Sequence, residues 1–320
     1  MSYAYEFSPV GDLGPIEQMR ALRRLFGADA PTSNEALAAI SRLTMAQRVA
    51  AGTVLSRQGE PFGHVFLIID GALELTYDGE QLGVFPAGTG VGAISALSAD
   101  QVGFTCTALE DSTLLTLTVQ DLLEVLEDHF ELMHSALVNL ATEAIAWRRA
   151  LMPNAGFSNE LRAEHSACTG HALSLVERMI YLRQTIGLEQ SYIDELAELA
   201  RAASEVRFPA GVRLWTPGDA AAYLMIVVSG EVRAKSPEGA EFCFGPGDIL
   251  GNLDTIAGVP RWFEAHAQRD LVALTLDSEA IVDVWEDHPA LGFAFLRMLS
   301  RLLLSLRVQA AKLQVQAVPS

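Results

Sequence analysis

The period of the apolar positions changes along this chain, changes back, and then runs through the same succession again. Ile16 to Phe26 and Asn34 to Leu43 place apolar residues three and four apart, which predicts two helices, the second capped by Thr32 or Ser33. After them come short runs such as Val65-Phe66-Leu67-Ile68-Ile69, punctuated by glycine roughly every 8 to 12 residues. That spacing predicts an antiparallel barrel or jelly roll, closing near Thr118. Helical spacing returns from Val119 to about Leu151. The succession then recurs as helices over Leu173 to Ile186 and Ser191 to Ala203, strands such as Leu224 to Val228 up to Asp277, and a helical tail from Ser278 to about Val315.

The recurrence is an internal repeat. With residue n set against n + 159, Gly52 falls on Gly211, Gly59 on Gly218, Gly71 on Gly230, Gly88 on Gly247 and Gly92 on Gly251, without a gap. Phe85 meets Phe244, Phe104 meets Phe263, and Glu127-Asp128-His129 meets Glu286-Asp287-His288. Glycines are kept where a backbone needs positive φ or close approach, so the halves share turns as well as composition. Gly71 and Gly230 are expected to end a buried strand, and Gly79 and Gly239 to mark hairpin turns. Leu22-Arg23 matches Leu182-Arg183 at an offset one residue larger, so the leading helices belong to the repeat.

The repeat divides 320 residues into domains of about 160 each, each large enough for its own core. The division reads as residues 1–151, a linker at 152–160 around Pro153 and Gly156, and residues 161–320. Apolar residues make up 50% and charged residues 19%, a globular composition. A net charge of −18 with no concentrated basic face argues against nucleic acid as a partner. The start, Met1 to Glu6, has neither a basic nor an apolar targeting region, and the longest apolar runs fall short of the roughly 20 residues that span a bilayer. Three scattered cysteines, Cys106, Cys168 and Cys243, fit a reducing compartment, so the expectation is a cytoplasmic protein without a membrane partner.

Particular residues carry a family resemblance over nearly the whole chain. Ala51-Gly52-Thr53-Val54-Leu55, Gln58-Gly59-Glu60 and Val65 to Gly71 resemble the opening of a bacterial cyclic nucleotide-binding domain. The second copy repeats it at Phe208 to Leu214, Pro217-Gly218-Asp219 and Leu224 to Gly230, followed by Phe244 to Gly251. The resemblance implies a mainly β fold with flanking helices: two tandem jelly-roll barrels, or double-stranded β-helices, of cyclic nucleotide-binding type. It implies a regulatory role without catalysis, and an organisation similar to the tandem regulatory subunits of cyclic-nucleotide-dependent kinases.

Members of that family hold the cyclic phosphate in a short cassette, in which a Glu accepts from the ribose hydroxyl and an Arg pairs with the phosphate. Copy one reads Gly92-Ala93-Ile94-Ser95-Ala96-Leu97 and then Gln101-Val102-Gly103-Phe104, so Ala93 and Val102 replace both charged residues. Copy two reads Gly251-Asn252-Leu253-Asp254-Thr255-Ile256 and then Pro260-Arg261-Trp262-Phe263-Glu264. The resemblance therefore places any cyclic nucleotide or other small anion at Gly251, Asn252, Leu253, Pro260, Arg261 and Trp262, with Asn252 in place of the Glu. Charged hydrogen bonds contribute about 1.5 to 3 kcal/mol each, so losing two weakens binding by roughly 10² to 10⁴.

Two readings of function remain open. In one, the second barrel is a ligand sensor and the tail from Pro289 closes over it. In the other, Phe104 and Phe263 fill both pockets, Arg261 pairs with nearby Glu264, and the molecule is an interaction scaffold whose apolar tail recruits a protein partner or a second copy. His165, Cys168 and His171 stand three apart but lack a fourth ligand and a zinc spacing, so no metal or other cofactor is assigned. The repeated Glu-Asp-His is read as a helix terminus ahead of Phe130 and Pro289. No nucleophile elbow or phosphate loop is present, which points away from an enzyme.

Overall fold

The computed structural model describes residues 8–9, 18–20, 22–23, 33–60, 62–98, 104–152, 171–185 and 187–313. Residues 18–20 and 22–23 are helical, and Leu22 is fully buried, as is its repeat partner Leu182. Helix α1 (Asn34–Leu43) starts where the side chain of Ser33 accepts from Ala36 N at 3.1 Å, and buries Ala36, Leu37 and Ile40 along one face.

The strands of the first copy are β1 (Ser8–Pro9), β2 (Met45–Val49), β3 (Val54–Ser56), β4 (His64–Asp70), β5 (Ala72–Tyr77), β6 (Glu80–Pro86), β7 (Gly90–Val91), β8 (Thr105–Ala108) and β9 (Ser112–Thr118). They form two antiparallel sheets, ordered β1-β2-β9-β4-β7 and β3-β8-β5-β6. Between β7 and β8 lies helix α2 (Ala93–Ser98). The interior is apolar, with Leu73, Cys106 and Leu114 at its centre. Burial there pushes the Cys106 thiol up to about 12, so it behaves as a small apolar side chain.

Helices α3 (Val119–Asp128) and α4 (Phe130–Leu151) follow, separated at His129, and then α5 (Leu175–Arg183) and α6 (Ile193–Ala202) open the second copy. Its strands are β10 (Ser204–Phe208), β11 (Arg213–Trp215), β12 (Tyr223–Ser229), β13 (Val232–Lys235), β14 (Glu241–Phe244), β15 (Ile249–Leu250), β16 (Glu264–Ala267) and β17 (Leu271–Asp277), with α7 (Asn252–Ala257) between β15 and β16. The sheets are ordered β10-β17-β12-β15 and β11-β16-β13-β14. Helices α8 (Ser278–Asp287) and α9 (Pro289–Lys312) close the chain, separated at His288. His129 and His288 each receive the last backbone turn of the preceding helix, so the repeated tripeptide is a helix terminus.

The copies agree in irregularities as well as in ladders. Pairing with the long central strand slips between Ile68 and Asp70 in one and between Val227 and Ser229 in the other. The glycine that follows the slip has φ +92° at Gly71 and +97° at Gly230. A Cβ at Gly71 would lie 2.7 Å from Ser112 Cβ, and one at Gly230 would lie 2.9 Å from Leu271 Cα. Both glycines are therefore required by conformation and by space.

The helical tails depart from the linear division of the sequence. One compact unit comprises Met1–Ser135 together with Ser300–Val315, the other Ala136–Leu299 with Gln316–Ser320. Most of α4 thus belongs with the second barrel, and the end of α9 belongs with the first. In the first unit, Leu304 and Val308 pack against the barrel core. In the second, Leu291, Phe295, Leu296 and Leu299 are buried. The apolar circumference of α9 is wide because its two ends fill two different interiors. Among the described residues α9 is the one helix long and apolar enough to cross a membrane, and half of that stretch is buried inside the protein.

Candidate functional site

The cassette of the second copy is built by two left-handed glycines. Gly251, at φ +72°, turns the chain out of β15 into α7, and Gly258, at φ +65°, ends the helix. Val259 and Pro260 then bring the backbone of Arg261 against the turn at Thr216 to Asp219. Arg261 N donates to Asp219 O at 2.9 Å, and Gly218 N donates to Arg261 O at 2.8 Å. With its main chain clamped on both sides, the Arg261 side chain is directed under α7 and is only 2% exposed.

Four acceptors of the chain itself surround the guanidinium. Its Nη1 donates to Gly251 O at 2.9 Å, to Asp254 Oδ2 at 3.1 Å and to Thr255 Oγ1 at 3.3 Å, while Nη2 donates to Tyr223 O. Thr255 Oγ1 also donates to Tyr223 O at 2.8 Å, which ties helix and strand to one centre. The face of the guanidinium lies 4.3 Å from the Trp215 ring and 5.3 Å from that of Tyr223, a cation–π arrangement in a desolvated setting. The Asp254 and Arg261 side chains are each 1% exposed, so this is a buried ion pair.

Burial dominates the electrostatics. It pushes the Asp254 carboxyl above the ordinary carboxylate range, and the adjacent Arg261 offsets that only in part. From α4, Arg148 adds a second positive charge that acts electrostatically on Asp254. As a residue Arg148 is half-buried, but its Nε is sealed from solvent. Desolvation draws the Arg148 pKa down to about 10, with Asp254 acting in the opposite sense.

Aromatic rings occupy the interior beside this pair. Phe263 lies 4.8 Å from Trp262, 5.2 Å from Phe242, 5.6 Å from Trp215 and 6.2 Å from Phe244, centroid to centroid. The first three pairs meet edge to face and the fourth is stacked, and contacts of both kinds add to the area that each ring buries. Phe263 is 2% exposed and Trp262 7% exposed, so both are core side chains.

Among the described residues the first copy keeps the left-handed glycine and the short helix after it, with different side chains around them. Gly92 has φ +102°, and a Cβ there would lie 2.5 Å from the Phe62 ring, where Gly251 instead faces the Arg261 guanidinium. Phe62 corresponds to Ala221 in the repeat, and Ser56, Ser95 and Ala96 correspond to Trp215, Asp254 and Thr255. Phe104 sits 5.5 Å from Tyr77, and Phe85, Leu82, Leu304 and Val308 pack on the same core. Arg301 Nε donates to Ser98 O at 3.0 Å at the end of α2, and the Arg307 guanidinium lies 5.6 Å from the Phe85 ring.

The structure brings Gly251 and Arg261 together, buries Leu253, leaves Asn252 half-buried, buries Trp262 among the rings and leaves Pro260 exposed. Arg261 does not pair with Glu264, which reaches His266 at 2.5 Å along the same face of β16. Its partner is Asp254, which sequence reasoning passed over, as it did Trp215, Tyr223 and Phe62. Val102, His165 and Cys168 lie outside the described residues, and His171 pairs with Glu177 at 3.1 Å. Among the described residues no cluster of three or more His, Cys, Asp or Glu side chains could hold a metal ion.

A model of the family described as cyclic nucleotide-binding domain matches residues 46–129 and 205–288, the same stretch of each copy. An uncharacterized NTE family protein of Mycobacterium tuberculosis is 35% identical over 111 residues, covering 34% of this chain and 19% of that protein. A CRP-like cAMP-activated global transcriptional regulator of the same species is 30% identical over 122 residues, covering 37% of this chain and 53% of that protein. The chain thus spans between a fifth and about half of the length of these curated relatives. Among solved structures, the regulatory domain of Toxoplasma gondii PKA with cAMP shares 18% identity, covering 95% of this chain and 98% of that one, with a TM-score of 0.33.

Proposed function

Because this chain belongs to the cyclic nucleotide-binding domain family and carries the domain twice, we propose that it is a regulatory scaffold in which neither barrel uses a cyclic nucleotide as its effector. One observation carries this reading: the guanidinium that would receive a ligand phosphate is already engaged by Asp254, Thr255 and the Gly251 and Tyr223 carbonyls. A ligand would have to displace a buried charge-assisted pair before making its own.

The surrounding side chains support the same reading. Phe263 and its four neighbouring rings occupy the second interior, and Phe62, Phe104 and the tail residues Leu304 and Val308 occupy the first. No catalytic role is assigned to either barrel. The CRP-like relative is described as cAMP-activated, and the present chain differs from such an activation scheme in having its anion partner built in. Its output would be the binding of a protein partner.

Calorimetric titration of the full chain with cyclic AMP and cyclic GMP tests the proposal. The expected result is no heat of binding up to millimolar nucleotide. Micromolar binding at one site per chain, lost in Arg261→Ala, would overturn it and restore the second barrel as a sensor.

A further inference from the structure

We infer that Asp254 is a built-in counter-ion occupying a latent anion site, so that the second barrel is held in the arrangement that an anionic ligand would otherwise impose. This deepens the closed-pocket reading and rests on it. The first argument is the comparison within the chain. The copy that has Arg261 also has Asp254, Thr255 and Trp215, whereas the other has Ser95, Ala96 and Ser56 at those positions and Val102 at the position of the arginine. The acid and the base occur together in one copy and are absent together from the other, as the two halves of one device would be.

The second argument is geometric. The carboxylate reaches Nη1 from the first turn of α7, beside the Gly251 carbonyl and the Thr255 hydroxyl, and both charged side chains are 1% exposed. A cation so buried is costly to hold without an anion, because neutral acceptors recover only part of the cost of desolvating it. Gly251 lacks the Cβ that would strike Arg261 Nη1, so the glycine that admits the guanidinium is part of the same site. Arg148, on α4, is close enough to act electrostatically on the same carboxylate, so its charge adds to that of Arg261 when the carboxylate is removed. Removing Asp254 therefore leaves a vacated oxygen position beside the Arg261 guanidinium, within the electrostatic reach of Arg148, and the chemistry that fits it is a small oxyanion such as phosphate.

The test measures thermal unfolding of the full chain and of Asp254→Ala, Asp254→Asn and Asp254→Ala/Arg261→Met in inorganic phosphate, against chloride of equal ionic strength. The wild-type midpoint is expected to be insensitive to phosphate. Asp254→Ala should melt lower in chloride and rise with phosphate, and its apparent affinity should exceed that of the wild type by roughly 10- to 100-fold, the worth of one charged hydrogen bond. The double variant should not respond. If Asp254→Ala folds only when phosphate is present, that is the same result. Asp254→Asn keeps the volume and one acceptor oxygen, and is expected to respond more weakly. If neither single variant responds to phosphate, the inference is overturned while the scaffold reading stands. Nucleotide binding to the wild type would instead overturn the scaffold reading, so the two failures are distinguishable.

Discussion

Under Gly92 the first barrel has a phenyl ring, and under Gly251 the second has a guanidinium paired with a carboxylate. The backbones around the two glycines are alike: each is left-handed, each opens a six-residue helix, and each follows a two-residue strand. The fold thus makes a hollow at this point and does not specify its occupant. An apolar filling is indifferent to pH and to small anions. An ionic filling is costly to maintain and open to competition, which is why the two copies should respond differently to the same perturbation.

The largest effect should come from breaking the pair. Arg261→Met leaves the Asp254 carboxylate buried without its partner and should lower stability by about 3 to 5 kcal/mol, read from the urea midpoint. Leaving the midpoint unchanged would mean that the pair contributes nothing and that the two fillings are energetically equivalent. Next come the glycines. Gly92→Ala and Gly251→Ala should each cost roughly 1 to 3 kcal/mol through a strained left-handed residue and a close approach. Gly92→Ala should cost more, because its Cβ would also lie 2.7 Å from the His64 carbonyl oxygen, which cannot step aside.

The smallest effect concerns pH. The folded Asp254 carboxyl titrates above its unfolded value, so the native state takes up the proton first as pH falls. Its contribution to stability therefore grows as pH drops through the raised value and is complete below the ordinary one. Wild type should gain on Asp254→Asn as pH falls from 7 to 4, measured as the difference in urea midpoints. A gap that is constant with pH would mean that the carboxyl is not desolvated.

Much of this architecture can be read from the residues, because glycines and aliphatics report the backbone. Gly71 and Gly230 mark the slip in the long strand, Ser33 starts α1, and the tripeptides ending at His129 and His288 terminate helices where their position in the repeat implies. The site was harder to read because charge pairing depends on direction. Glu264 is three residues from Arg261 but lies on a strand, where it faces its i+2 neighbour His266. Asp254 is seven residues away, and only the turn at Gly258 folds it back onto the arginine. The signal available was the contrast between Asp254 and Ser95 at equivalent positions of the repeat, in the one copy that also keeps its arginine. For the tails no local signal exists, since the apolar pattern of α9 states how much surface is buried and not against which barrel.

That assignment of the tails has a consequence for how the chain can be divided. Leu304 and Val308, which pack on the interior of the first barrel, are encoded at the far end of the sequence, and Arg148, whose charge acts on Asp254 in the second, is encoded near its middle. A cut near residue 152 would separate neither barrel cleanly: each fragment would carry a piece of the other's interior and lack a piece of its own. The duplicated halves have become mutually dependent, so that fragments 1–152 and 153–320 should each be poorly soluble alone and recover a cooperative melt only when mixed.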